Sequence, residues 1–453
     1  MKTVKHNWMR GLEEVRRLAA GPIARASGLS MGIRLSGMVL LFVQAILTAR
    51  LLGPAGYGIT ATVVSAAQVL SGIAMLGFGP LAVREIPSRT AAGEPGAIAA
   101  FLRFSLAVTL VGTLLVAALA TLALVPELRI EDELRIPLAL GGVLVMPLAL
   151  IALMRGWAQG FGRVAMAQVP GEFLRPLAMV ATMIAIALIG VRFTPASYVV
   201  AASGAAFAGV LAAAVWQWRS EARALPRPGE WMGGKQATLA AIPFLGLGLA
   251  ALLQGEVNTL LLAAFAGPRE TGLFQPVARL APLLALPVQA ATMRYAPRMA
   301  ELWHHGEHAQ IRSITRTFTW TTTAITLVAG LVIAGTGPWL MLVFGKDFTA
   351  SAPLLWIVAL AQVFNAACGP LGALFAMAGR TGTAVAGQLA GLAVNVAVGF
   401  AFIPIYGATA AACGILAATV TWNVVLLWAI RRKLGIDPSL LGLLAKDQGS
   451  AAT

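Results

Sequence analysis

Gly53-Pro54-Ala55-Gly56-Tyr57-Gly58 lies between two long apolar runs, and Gly267-Pro268-Arg269-Glu270-Thr271-Gly272 repeats its Gly-Pro-x-x-x-Gly frame 214 residues later, again between two apolar runs. The same offset carries Arg84, just after the next apolar run, onto Arg298. A membrane-length hairpin is written twice with its flanking charge, so the chain reads as two related halves. Membrane proteins built from internal repeats of this kind are typically transporters.

Working outward from the hairpins, 58% of the 453 residues are hydrophobic and 11% are charged, which excludes an ordinary soluble domain. Windows of about 20 residues with few charges are long enough to cross a hydrocarbon core about 30 Å thick. Twelve are predicted: 35–52, 57–79, 102–124, 136–154, 168–190, 197–217, 238–265, 271–293, 317–336, 351–378, 383–404 and 407–430. The expected fold is an all-α polytopic membrane protein, with twelve transmembrane helices in two parallel six-helix lobes around a central cavity. Because six is even, both halves enter the membrane the same way, which places the pseudo-two-fold axis along the membrane normal.

A net charge of +15 would suggest nucleic acid in a soluble chain. With the N-terminus placed in the cytoplasm, however, most of the 33 Lys and Arg fall on the inner side, among them Lys2, Arg16, Arg17, Arg84, Arg163, Arg223, Arg298, Arg312, Arg380 and Arg431 to Lys433. The outer set is sparse: Arg50, Arg129, Arg135, Arg192, Arg269 and Lys346. This asymmetry is the positive-inside pattern, and it accounts for the basic balance without a nucleic-acid partner. Both termini are therefore expected in the cytoplasm.

Trp8, Leu12, Val15 and Leu18 recur at helical spacing among Arg10, Glu13, Glu14, Arg16 and Arg17, which suits a helix lying on the inner membrane surface. The charges interrupt any apolar core in residues 1–28, so no cleaved secretory signal is expected there. The remaining divisions follow: a first lobe over 29–217, a cytoplasmic linker over 218–237 rich in Pro and Gly, a second lobe over 238–432 and a cytoplasmic tail over 433–453. Outer loops are short, Pro126 to Arg135 being the longest, and no loop is large enough to fold as a catalytic domain. Cys368 and Cys413 both fall in predicted spans and read as small apolar residues. Pro147, Pro170, Pro176, Pro243, Pro282, Pro287 and Pro370 lie inside spans, where each frees a backbone carbonyl and favours a kink.

The stretch Ala49-Arg50-Leu51-Leu52-Gly53-Pro54-Ala55-Gly56-Tyr57-Gly58 resembles the first hairpin of the polysaccharide-biosynthesis oligosaccharide flippases, a family of the multidrug/oligosaccharidyl-lipid/polysaccharide exporter superfamily. Ala82-Val83-Arg84-Glu85 is similar to the end of that family's second span. Phe344-Gly345-Lys346-Asp347-Phe348 with Ala352-Pro353-Leu354-Leu355 resembles its loop before span ten, and Ile403-Pro404-Ile405-Tyr406-Gly407-Ala408-Thr409-Ala410-Ala411 its loop between the last two spans. The resemblance implies movement of undecaprenyl-diphosphate-linked oligosaccharide from the inner to the outer leaflet of a bacterial inner membrane, by alternating access between two lobes. It implies no catalytic signature, no cofactor and no metal, and its partners would be membrane lipid and glycan polymerase or other export components.

A charge at mid-span costs about 2.5–3.5 kcal/mol on insertion scales, so each one is expected to face a partner or water. Arg34, near the start of span 1, either snorkels to the headgroups or recruits a diphosphate, which a guanidinium can hold through two parallel hydrogen bonds. Glu172 and Arg175 are three apart on span 5 and are expected to share a face, as a local ion pair or as a cavity lining in which Arg175 binds phosphate. Glu256 and Arg279 lie at equal distances from the second hairpin turn, hence at equal depth, and are expected to pair; a lone acid there would instead bind Na+ or H+. Gln254 and Asn258 share one face of span 7 while Glu256 points roughly 200° away, so the two amides are the substrate-facing candidates. Asn365, Gln388, Asn395 and Asn423 add amides in later spans, either to line the cavity or to bond between helices.

Two motif matches carry nothing. Gly229-x-x-x-x-Gly234-Lys235 lacks the Ser or Thr of a phosphate loop, since Gln236 stands there with no strand before it. His304-x-x-Glu307-His308 fits an inverted zinc-protease pattern only formally, because Gly306 interrupts it. The function classes that remain are a lipid-linked oligosaccharide flippase, a cation-coupled multidrug exporter of the same superfamily, and a peptidoglycan lipid II flippase; a membrane enzyme is disfavoured by the short outer loops.

Overall fold

The computed structural model describes residues 22–125, 132–221, 225–229, 231–434, 437–440 and 442, with side chains from Leu29 onward. The expected surface helix over 1–28, Arg129 in the outer loop, Arg223 in the linker and most of the tail lie outside the described residues or their side chains. Among the described residues every long element is a helix, and ten helices are long and apolar enough to cross a membrane. The chain is a multi-pass membrane protein. Two of the ten, Leu29–Ala74 and Thr381–Lys433, run to 46 and 53 residues, each more than twice the length that one crossing needs. Each contains a glycine with non-helical backbone, Gly53 (φ 66°) and Gly407 (φ 52°), at the point where two predicted spans meet.

The chain divides into two compact units, one formed by residues up to Leu47 with Ala66–Leu252, the other by Thr48–Ser65 with Leu253 onward. In the first unit the helix Asp132–Gly160 is central: it packs against Phe78–Ala91, Pro95–Ala120 and Pro195–Ser220. Its most apolar stretch is 61% buried, which its composition permits because that stretch is apolar all round. Gly156 comes so close to Gly79 that a Cβ would meet the Gly79 carbonyl. Phe78, Phe101, Leu153 and Trp157 fill the core, and Trp231 of the linker stacks edge-on against Phe101 at 5.2 Å. The linker is tied down by Gly229 N–H donating to Gly96 O at 3.0 Å, and the first part of the helix Gly234–Phe265 packs in this unit, where Gly77 meets Leu245 and Arg84 lies over Phe244.

In the second unit His308–Gly335 packs against Gly267–His304 and Leu354–Ala367 over a core of Leu302, Phe318, Leu374, Phe375 and Ile430. Thr315, Thr319, Thr322 and Thr326 form a buried stripe on His308–Gly335, and Ser105, Thr109 and Thr113 form one on Pro95–Ala120. Most of these hydroxyls donate back to carbonyls three or four residues earlier, as Thr109 does to Ser105 and Thr319 to Thr315, so small polar residues allow close helix packing with most donors met, Thr315 and Thr326 being the exceptions. Ser105 and Thr109 fall on Thr319 and Thr323 at the 214-residue offset, which extends the repeat beyond the hairpins. Cys368 is buried and Cys413 exposed, and both are free thiols.

The twice-written motif packs against itself inside the second unit. Gly53 and Gly267 take positive φ (66° and 80°), a backbone that side chains disfavour, and Pro54 and Pro268 start the helical turn that follows. The last glycine of each frame has a different task. A Cβ on Gly58 would fall on the Pro268 carbonyl, and a Cβ on Gly272 would fall on the Pro54 carbonyl. The contact is reciprocal and backbone to backbone, so the first glycine makes the turn and the last makes the crossing.

Two more motif fragments meet around it. Tyr57 packs edge-on to Phe348 at 6.3 Å, Arg50 Nε donates to Val343 O at 2.8 Å, and Glu270 Oε2 accepts from Ala408 N at 3.0 Å beside the kink at Gly407.

Candidate functional site

The first cluster lies in the first unit, where Val169–Leu174 form a π-helical turn between two α-helical stretches. Pro170 removes one backbone donor and Gly171 keeps the turn slim, so three neighbours approach closely. A Cβ on Gly37 would fall on the Glu172 carbonyl, Gly209 faces Pro170 O, and Gly171 faces Ile151. Ser30 Oγ donates to Gln168 Oε1 at 2.8 Å and closes the same seam.

Glu172 is drawn to two guanidiniums at this turn. Arg155 Nη2 donates to Glu172 Oε1, and Arg34 Nε lies 3.7 Å from Glu172 Oε2. Arg175 follows the turn as the first residue of the α-helix Arg175–Ile189. Arg155 is absent from the sequence candidates because the predicted span ended at residue 154, whereas the helix runs on to Gly160. One carboxylate under two guanidiniums leaves a net positive group. Arg34 and Arg155 keep 46% and 40% of their side-chain surface exposed against 25% for Glu172, so the cationic side is the accessible one.

Glu256 takes a partner that the depth argument did not name. Ser65 Oγ donates to Glu256 Oε2 at 2.5 Å, within the second unit. Ser65 is the residue onto which Arg279 maps at the 214-residue offset, so the acid meets the first copy's occupant of the expected place. The reason is the hairpin crossing, which brings the first hairpin beside the second. Arg279 is exposed on Gly267–His304.

A third cluster, also in the second unit, is a cavity of about 290 Å³. Gln254, Gln362, Asn365, Gln388, Asn395, Thr419 and Trp422 line it with Gly391, Leu392, Ile415 and Ala418. Gln254 Nε2 donates to Gln388 O at 3.2 Å, and Asn423 Nδ2 donates to Asn365 Oδ1 at 3.1 Å from behind. The structure therefore brings together Gln254 and Asn365 from the candidates, while Asn258, one turn on from Gln254, is buried away from the cavity. Gln362 and Trp422 were missed. Their signal was spacing: Gln362 is three residues before Asn365, and Trp422 three after Thr419.

These clusters are the setting for the comparisons. A family profile described as "Polysaccharide biosynthesis protein" matches residues 23–303, more than half of the chain. The chain belongs to the polysaccharide biosynthesis protein family. Among solved structures, its fold is similar to that of an inward-facing multidrug resistance MATE family transporter of the MOP superfamily. That pair shares 13% identity over 89% of this chain and 97% of the other, with a TM-score of 0.65. The lipid II flippase MurJ in an inward closed conformation matches with 11% identity over 90% of this chain and 87% of the other, TM-score 0.63. A MOP superfamily transporter from Pyrococcus furiosus matches with 16% identity over 92% and 96%, TM-score 0.60. At such identities the likeness is one of fold. These neighbours are named as transporters and a flippase, none as an enzyme. No curated protein matches the sequence.

Proposed function

We propose that this member of the polysaccharide biosynthesis protein family is a flippase for undecaprenyl-diphosphate-linked oligosaccharide, acting in the bacterial inner membrane with both termini in the cytoplasm. Counting each glycine-kinked helix as two crossings gives the twelve spans of two six-helix lobes, which would work by alternating access about a central cavity. The observation that carries the reading is the placement of Arg34 and Arg155 around the single carboxylate of Glu172. A net positive, partly exposed guanidinium pair inside an apolar segment is costly unless an anion uses it, and a diphosphate fits the planar fork of arginine. Arg175 stands at the end of the same turn and adds a third guanidinium to the neighbourhood. Membrane lipid carries the tail, and glycan polymerase or other export components would receive the product.

Glu256, a carboxylate within a span that accepts from the Ser65 hydroxyl, is the observation that favours a second reading, a cation-coupled multidrug exporter using Na+ or H+. One experiment separates the two. Purified protein in proteoliposomes is given a fluorescent undecaprenyl-diphosphate oligosaccharide and, separately, a cationic dye under a Na+ or H+ gradient. The expected result is leaflet transfer of the lipid, reduced about tenfold or more in Arg34→Ala/Arg155→Ala, in line with a loss of charge-assisted hydrogen bonds. No transfer of the lipid by wild type, or gradient-driven dye uptake in its place, sinks the flippase reading.

A further inference from the structure

We propose that the amide-lined cavity of the second unit is a subsite for one uncharged sugar ring of the transported glycan; this rests on the flippase reading and adds the place where the head group is recognised. Its chemistry is the first argument. Side-chain amides both donate and accept hydrogen bonds, as sugar hydroxyls do. None of the lining side chains is charged, so the cavity is suited neither to a diphosphate nor to a bare cation.

The lining comes from helical faces. Gln388 and Asn395 are seven apart on one face of Thr381–Leu434, and Ile415, Thr419 and Trp422 lie on one face of the same long element beyond its kink. The two faces are held close by glycine. A Cβ on Gly391 would stand 2.9 Å from Ala418 O, and one on Gly414 2.5 Å from Asn395 Oδ1. Alanine at Gly391 would push the wall apart, and alanine at Gly414 would displace the Asn395 amide.

Hydrogen-bond accounting supplies the second argument. In this wall Asn395 Oδ1, an acceptor, and Trp422 Nε1, a donor, are both buried with no protein partner. Asn395 is only 5% exposed, and a buried group left unpaired costs about 1–3 kcal/mol. A hydroxyl can serve both kinds of atom, whereas a cation could serve only the acceptor and an anion only the donor. The indole adds an apolar surface for the C–H face of a ring, and most ligand pockets combine such a surface with a few placed polar groups. At about 290 Å³ the cavity is at the small end of the ligand-pocket range, room for a ring and not for a whole oligosaccharide.

The test uses the full-length protein in nanodiscs and two lipids with the same tail and diphosphate, bare undecaprenyl diphosphate and undecaprenyl diphosphate carrying one hexosamine. Wild type is expected to hold the glycosylated lipid about tenfold more tightly than the bare one. Gln388→Leu and Trp422→Phe should each reduce that preference about threefold or more and leave affinity for the bare lipid unchanged, as expected for loss of one or two neutral hydrogen bonds. Trp422→Phe keeps an aromatic face while removing the N–H and the five-membered half of the indole, so the test stands even where Gln388→Leu fails to fold. Arg155→Ala should weaken both lipids alike. A wild type that holds both lipids equally, variants that weaken both equally, or a sodium-dependent signal in place of the glycan preference overturns the subsite while the flippase reading stands. A wild type that holds neither lipid overturns the flippase reading itself.

Discussion

The hairpin crossing and the arginine cluster are built on opposite principles. At the crossing, Gly58 and Gly272 meet the Pro268 and Pro54 carbonyls, and the contact is made by backbone that no side chain separates. At the π turn, glycine and proline also draw the backbones together, yet the closeness serves to gather the long side chains of Arg34, Arg155 and Glu172. The first region is written in both halves and the second in one. At the 214-residue offset Arg34, Arg155 and Glu172 fall on Gly248, Gly369 and Ala386, and Gln254, Asn365, Gln388 and Asn395 come from Leu40, Ile151, Leu174 and Ala181. Repetition marks the scaffold, and departure from repetition marks the chemistry.

The largest effect that would break this comparison is expected at the crossing. Gly58→Ala or Gly272→Ala places a methyl on a carbonyl oxygen that belongs to rigid backbone, and should cost about 3 kcal/mol or more, seen as a lowered thermal midpoint in detergent. The double variant should cost less than the sum, because both methyls force apart one contact. Additive losses would mean that the two glycines do not share an interface.

Glu172→Gln comes next. It leaves Arg34 and Arg155 facing each other without their carboxylate, for an expected loss of about 2 kcal/mol, less than a fully buried pair would show because both guanidiniums are partly exposed. Arg155→Leu in the same chain should restore part of it. Ser65→Ala removes the donor to Glu256 and should cost about 1–2 kcal/mol, with Ser65→Thr close to wild type. Smallest is Arg50→Met, which removes an exposed hydrogen bond to Val343 O and should cost about 0.5 kcal/mol in the same melt; a larger loss would extend the rigid region to that rim.

The helical, duplicated, membrane-crossing plan was legible because apolar run length and glycine-proline punctuation are local signals. The two hairpins were legible as a repeat, but not as partners, since no local pattern reports a contact between residues 214 positions apart. That single omission is why Ser65, brought beside Glu256 by the crossing, was not foreseen. The three-residue spacing of Glu172 and Arg175 was read with the α-helical period, whereas Val169–Leu174 form a wider π turn. Arg155 escaped because hydropathy ends a span where charge begins, while the backbone helix continues from there to Gly160. The amides were visible singly, and only the packing of Gly391 on Ala418 and Gly414 on Asn395 shows them gathered.

The crossing also has a consequence for biosynthesis. Residues 48–65 belong with a unit whose other members begin at Leu253, so the ribosome must add nearly two hundred residues before the first hairpin meets its mate. Until then Gly58 lacks the Pro268 carbonyl that it meets in the folded protein. Assembly of this protein therefore has a late committing step, the arrival of Gly272, and a chain truncated before that residue should be recognised as unfinished by membrane quality control however many of its helices are already inserted.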